Sequence, residues 1–178
     1  MNVSPVQFRQ GNLIETVKKA LTDMGINPNR LELEITEGVL LSHTDETIET
    51  LEKLQDLGVR IAMDDFGTGY SSLSYLRRFP FDKIKIDKSF ITDLGKCSDA
   101  DSIINAVIGL GASMGMTSNA EGVETAEQAE KLRKQGCNEV QGFYFSKPIP
   151  SECIGEIMAD WVFENLSKDS VVPKRKAI

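Results

Sequence analysis

Short β-rich runs alternate with amphipathic helical segments along the whole chain, and this alternation constrains the fold more than any other feature of the sequence. The runs are Val3, Leu31–Ile35, Val59–Met63, Lys83–Ile86, Met116–Ala120 and Glu139–Gln141. Their starts are spaced by roughly 23 to 33 residues, the length of one strand plus one crossover helix. Strict alternation of this kind predicts an α/β domain with a parallel sheet, because parallel neighbours need a long crossover connection. Length alone favours an open doubly wound sheet, since an eight-unit barrel takes about 250 residues and this chain has 178.

The helices between the runs are read from apolar spacing and stop signals. Leu13, Val17, Leu21 and Met24 share a face before Gly25, and Ile48, Leu51, Leu54 and Leu57 share one before Gly58. Ser71–Phe79 carries Leu73, Leu76 and Phe79 before Pro80. Asp99–Met114 carries Ile103, Ile104, Val107, Ile108 and Met114 before Gly115. Thr125 and Gln128 have capping-box spacing and open a helix that ends at Gly136. Ser151 opens a last helix with Ile154, Ile157, Met158 and Trp161 on one side. Residues 167–178, including Lys174-Arg175-Lys176, show no apolar period and are expected to form a disordered tail.

Composition narrows the chemistry. A net charge of −7 argues against nucleic-acid polymers as partners, because phosphate neutralisation needs a basic face. An acidic protein can still handle a phosphorylated ligand if carboxylates hold metal ions that supply the positive charge. The single histidine, His43, is expected at a solvent-exposed helix start, so histidine-based catalysis is not indicated. Cys97, Cys137 and Cys153 suggest neither a disulfide framework nor a zinc site, and a reducing cytoplasm fits them. No apolar run approaches the roughly 18 residues of a membrane span, and no signal peptide is recognisable.

In α/β proteins the chemistry gathers at the C-terminal ends of the strands. Here those ends carry Asn2, then Glu34 with Glu37, Asp64 with Asp65, Lys85 with Asp87, Glu121 with Glu124, and Gln141. One acid at such a position serves as readily as a helix cap; oxygen donors at five ends form a pattern. The adjacent pair Asp64-Asp65 leaves an apolar strand, where two carboxylates repel unless a cation or hydrogen bonds compensate them. Hard oxygen donors of this sort suit Mg²⁺ or Mn²⁺. The loop Phe66-Gly67-Thr68-Gly69-Tyr70-Ser71-Ser72 is weak evidence for phosphate binding by itself. Lys85 alternates with Ile84 and Ile86, so its ammonium points either into the interior or to solvent.

Six segments, in order, resemble the motifs of EAL-domain cyclic di-GMP phosphodiesterases. They are Asn2-Val3-Ser4-Pro5, Leu33-Glu34-Ile35-Thr36-Glu37, Asp64–Leu73, Lys85-Ile86-Asp87, Ala120–Thr125 and Val140-Gln141-Gly142, so the resemblance runs from Asn2 to about Pro150. It implies a modified (β/α)₈ TIM-type barrel that uses Mg²⁺ or Mn²⁺ to hydrolyse cyclic di-GMP to linear pGpG. By that resemblance Asn2, Glu34 and Asp64 hold one metal, with Asp64 bridging to a second metal near Asp65 and Glu121. It further implies that Lys85 orients the attacking water and that Glu121 acts as general base. Glu37 corresponds to the anchor of the loop beginning at Asp65, and Asp87, Glu124 and Gln141 correspond to pocket or supporting residues.

The sequence also departs from the family. It contains no Glu-Ala-Leu motif, whose glutamate is a metal ligand in the family, and Met1 falls in the middle of the family's third strand. The expectation is therefore an incomplete barrel of about six βα units over residues 1–166, with a weakened metal site and weak or absent turnover as an isolated chain. The alternative is a noncatalytic module that binds cyclic di-GMP or another protein. Expected partners are cyclic di-GMP, a second copy or a complementing chain, and diguanylate cyclase or sensor domains in a longer parent protein. Asn119 stands where the family usually has an apolar residue, so its amide needs a partner in the barrel, at a cost of roughly 1–3 kcal/mol if unpaired.

Overall fold

A computed structural model of the chain describes residues 1–40, 45–67, 76, 78–155 and 158, without the side chains of Glu37 and Leu40. The expectations for His43, Glu37 as loop anchor, the glycine-rich loop beyond Gly67, most of the 71–79 helix, Ile157, Trp161 and the tail lie outside these described residues.

Six parallel strands form one sheet in chain order. They are β1 (Asn2–Val3), β2 (Glu32–Thr36), β3 (Arg60–Phe66), β4 (Lys83–Ile86), β5 (Thr117–Ala120) and β6 (Glu139–Val140). The connecting helices are α1 (Pro5–Arg9), α2 (Leu13–Met24), α3 (Glu37–Leu40), α4 (Asp45–Asp56), α5 (Lys88–Thr92), α6 (Ser98–Ser113) and α7 (Ala126–Lys134). All six strands fall where the alternation puts them. The short α1 and α5 carry no apolar period and are set by their caps: Ser4 makes a capping box with Gln7 ahead of Pro5, and the Asp87 side chain accepts from the Ser89 N–H. The capping box at Thr125 and Gln128 forms as its spacing predicts.

Two periods build the core. Along β2 and β4 every second residue, Leu33, Ile35, Ile84 and Ile86, is fully buried in a cluster with Leu51, Leu54, Ile104 and Leu132 from the helices. Fully burying one such side chain stabilises the fold by about 1.5–3 kcal/mol. Two residues assigned to apolar helix faces are not in that core: Met24 is 74% exposed and Ile103 43%. Met24 closes α2 next to left-handed Gly25, where the chain turns away from the sheet, and Ile103 lies on the flank of α6 beside the buried Ile104. The Ser151 segment begins with a 3₁₀ turn over Ser151–Cys153 and is helical at Ile154, Gly155 and Met158, with Ile154 46% exposed and Met158 62%. No helix among the described residues is long and apolar enough to cross a membrane.

The alternate residues Glu32 and Glu34 of β2 and Lys83 and Lys85 of β4 are charged and face the other side of the sheet. There Lys83 reaches Glu32 on β2 and Glu139 on β6, while Lys85 reaches Glu34 on β2 and Glu121 beyond β5. Residues on strands two places apart can meet on one side chain only if the sheet curls, so this face is concave.

Candidate active site

Two ionic layers are stacked on the concave face. In the lower one Lys83, 6% exposed, places Nζ 2.9 Å from Glu32 Oε2 and 2.6 Å from Glu139 Oε2. In the upper one Lys85, 4% exposed, places Nζ 2.7 Å from Glu121, 2.8 Å from Asp64 and 3.0 Å from Glu34. The alternative of a solvent-facing Lys85 is thereby closed. Burial opposes the charge on Lys85, but the bonds to Asp64, Glu121 and Glu34 outweigh it and raise its pKa, so the ammonium is fixed. Glu121 moves up from the ordinary glutamate value, first through burial and then through the charges of Asp64 and Glu34, with Lys85 opposing.

The backbone of β3 explains how both aspartates arrive at this layer. β3 continues past Met63 to Phe66, so the acid pair lies inside the strand rather than after it. Between Met63 and Phe66 the register with β4 shifts, with Met63 opposite Ile84 and Phe66 opposite Ile86, which inserts one extra residue. Asp65 takes up the bulge at φ 54°, a left-handed conformation uncommon for a residue with a side chain. Asp64, Asp65 and Glu121 then offer one oxygen each within 4.8 Å of one another. This donor set fits a divalent cation: it is all carboxylate, convergent, and its negative charge exceeds what Lys85 neutralises. Asp64 Oδ1 is buried without a hydrogen bond of good geometry, so the Lys85 contact compensates it through charge.

The other predicted positions divide. Glu34 joins the cluster through Lys85, and exposed Asn2 lies beside Glu34 in the register of β1 and β2. Gln141 donates from Nε2 to Glu121 Oε1 at 2.8 Å. Asp87 is engaged as the cap of α5, where the Ser89 bond lowers its pKa. Glu124 is exposed and pairs with Lys88 at 2.6 Å, which lowers its pKa. Asn119, 7% exposed and next to Lys85 in the β4–β5 register, leaves Oδ1 unpartnered.

A groove of about 670 Å³ opens beside the cluster, with Glu121 and Gln141 at its edge and Lys88, Phe143 and Lys147 along its walls. Phe143 is 55% exposed, and the ammonium groups of Lys88 and Lys147 lie 5.8 and 5.9 Å from its ring centre. Sequence reasoning missed this wall and the whole lower layer. The lower layer had a visible signal, since Glu32-Leu33-Glu34-Ile35 and Lys83-Ile84-Lys85-Ile86 alternate charge with aliphatic residues.

Comparison with known proteins gives a consistent result. The EAL domain family matches residues 1–148. The bifunctional diguanylate cyclase/cyclic di-GMP phosphodiesterase MucR of Pseudomonas aeruginosa is 43% identical over 85% of this chain and 22% of its own length. The solved PaMucR phosphodiesterase in complex with c-di-GMP superposes with a TM-score of 0.81 at 42% identity, over 86% of this chain and 62% of that one. The EAL domain of Mycobacterium smegmatis DcpA gives a TM-score of 0.83 at 42% identity, over 89% and 71%. A manganese/cy-diGMP complex of Klebsiella pneumoniae BlrP1 gives 0.77 at 34% identity, over 83% and 38%. The chain spans about a fifth of the length of the curated relatives it matches. Its six strands are an incomplete barrel of the type these domains form.

Proposed function

We propose, from the premise that this chain belongs to the EAL-domain family, that its concave acidic cluster is the centre of a cyclic di-GMP phosphodiesterase domain requiring Mg²⁺ or Mn²⁺. The convergence of Asp64, Asp65 and Glu121 on one volume, beside a groove with a cationic aromatic wall, carries this reading. Asp64, Asp65 and Glu121 would hold the metal, with Glu34 and Asn2 completing the donor set from the neighbouring strands. The metal supplies Lewis-acid stabilisation of the charge that builds on the phosphodiester.

The chain's own groups supply the rest. Lys85, held charged by three acids, steadies those carboxylates and presents the only buried cation of the upper layer to the attacking water. Glu121, 2.7 Å from Lys85 and converging with both aspartates, is the carboxylate placed to take the water's proton. The water oxygen joins phosphorus, one ester bond to a ribose 3′ oxygen breaks, that oxygen leaves as a hydroxyl, and the linear pGpG results. Gln141 holds the Glu121 carboxylate in place. Cyclase or sensor domains, a second copy and residues 1–166 as the domain limits belong to the same proposal.

Chromatographic detection of pGpG from cyclic di-GMP tests it, with Mn²⁺ and with chelator. Metal-dependent product that disappears in Asp64→Asn supports the reading. Binding of the dinucleotide without product in any metal would instead establish the noncatalytic module.

A further inference from the structure

Glu121 is the only member of the acidic cluster that sits on a loop rather than on a strand, yet it must hold its oxygen within the same few ångströms as Asp64 and Asp65. The loop following β5 is pressed between two others at positions where there is no side chain. A Cβ on Gly142 would fall under 3.0 Å from Val123 N, O and C, all backbone atoms that cannot swing aside. The residues flanking Gly142 also hold Val123 directly: its N–H donates to Gln141 O at 3.0 Å, and its carbonyl accepts from Tyr144 N at 3.0 Å. On the opposite side, a Cβ on Gly122 (φ +70°) would fall under 3.0 Å from the Cβ, Cγ and Cδ of Lys88, whose ammonium is tied to Glu124. Val123 itself is fully buried.

We infer that Gly142 and Gly122 are positioning residues: their bare backbones let the 121–124 loop lie flat between the 141–145 turn and α5, and this close packing sets where the Glu121 carboxylate meets Lys85 and the aspartates. The inference rests on the metal-site reading above. It goes beyond that reading by locating the control of the site in two glycines that have no side chain to offer as a metal ligand. An added methyl at Gly142 must drive Gly142 and Val123 apart, and with them Gln141 and the Glu121 carboxylate that it bonds. At Gly122 the obstacle is a side chain, so shortening Lys88 to alanine removes the Cγ and Cδ contacts and leaves only that of Cβ.

Mn²⁺ titration calorimetry on the full chain tests this with Gly142→Ala, Gly122→Ala, the double variant Gly122→Ala/Lys88→Ala, and Gly115→Ala. Gly115 also has positive φ (+74°) but open space around it, so its variant carries backbone strain without displacing the loop. Misplacing a supporting contact typically weakens metal binding 10- to 100-fold, so a loss of that order is expected in Gly142→Ala and Gly122→Ala. Lys88→Ala should restore part of the Gly122→Ala loss, and Gly115→Ala should bind as wild type. Wild-type affinity in Gly142→Ala, or equal losses in Gly115→Ala, overturns the inference. Should the wild-type chain bind no Mn²⁺, the metal reading fails by itself. A solved structure of Gly142→Ala then decides the positioning, which is refuted if Glu121 Oε1 keeps its 2.7 Å contact with Lys85. If Gly142→Ala does not fold, the Gly122→Ala pair and its rescue decide alone.

Discussion

Lys83 and Lys85, two residues apart on β4, project from the same face of the sheet into separate sets of acids, Glu32 and Glu139 for the first and Glu34, Asp64 and Glu121 for the second. One strand thus carries the central cation of both ionic layers. The layers differ in what they leave over. Lys83 meets two carboxylates that are also partly open to solvent, whereas Lys85 meets three in a volume that also receives Asp65. The upper layer retains the larger surplus of negative charge, which a metal ion can take up.

That surplus predicts the response to Lys85→Met. Without the ammonium, Glu34, Asp64 and Glu121 repel one another, so the metal-free variant should be less stable than wild type at neutral pH and should regain stability when Mn²⁺ is added. Metal affinity should be retained or increased, because the competing cation is gone, while pGpG formation should fall by at least about 10²-fold, as for loss of a proton-handling or water-orienting group. Calorimetry and product chromatography on one preparation separate the two effects. Loss of metal binding together with turnover would show that Lys85 assembles the site rather than serving the reaction.

Asp64→Asn should act in the opposite sense. The amide removes one charge from the group of three and keeps the shape, so Mn²⁺ affinity should drop at least 10- to 100-fold while the fold persists. Near-UV circular dichroism checks the fold and calorimetry the affinity. Unchanged affinity would exclude Asp64 from the metal site.

How far the sequence foretold this arrangement depends on the distance over which each feature is set. Strand positions were legible because alternation of charge with aliphatic residues is local, and the Thr125 cap because it spans four residues. The β3 bulge was not: Asp64-Asp65 read as the residues after the strand, and only pairing with β4 shows them inside it, with Asp65 at positive φ. The meeting of Glu32 and Glu139 on Lys83 was equally hidden, since it depends on the curl of the whole sheet. Asp87 and Glu124 stand at strand ends as read, but the cap of α5 and the side chain of Lys88 occupy their carboxylates, and neither partner is implied by the motif in which the acid sits.

The lower layer gives a pH prediction. Burial pulls the Lys83 pKa down, but hydrogen bonds to Glu139 and Glu32 prevail and raise it above the ordinary lysine value. A folded-state value above the unfolded one means that the linked stability is complete below about 10.4 and is lost as pH climbs through the folded value. Lys83→Met should therefore flatten the alkaline limb of the stability curve and lower stability at pH 7 by roughly 1–3 kcal/mol, since Glu32 and Glu139 lose their shared donor. Urea denaturation from pH 7 to 11 measures both. A variant with the same alkaline slope as wild type would mean that Lys83 contributes nothing to it.

Asn119 lies between the layers, opposite Lys85 on one side and Glu139 on the other in the sheet register, and its carbonyl is buried without a donor. The Lys85 ammonium is drawn to Glu34, Asp64 and Glu121 instead, and no hydrogen bond from it reaches the Asn119 carbonyl. An unpartnered buried polar group costs about 1–3 kcal/mol, and replacing it with an apolar group of similar shape removes that cost. Asn119→Leu should raise stability by about 1 kcal/mol, which for a domain of this size moves the Tm upward by roughly 2–4 °C. Mn²⁺ affinity should stay within a factor of two, because Asn119 touches none of the carboxylates. A fall in Tm would show that the amide does bind something in the folded protein, an enclosed water being the simplest occupant of a polar site between two charged layers.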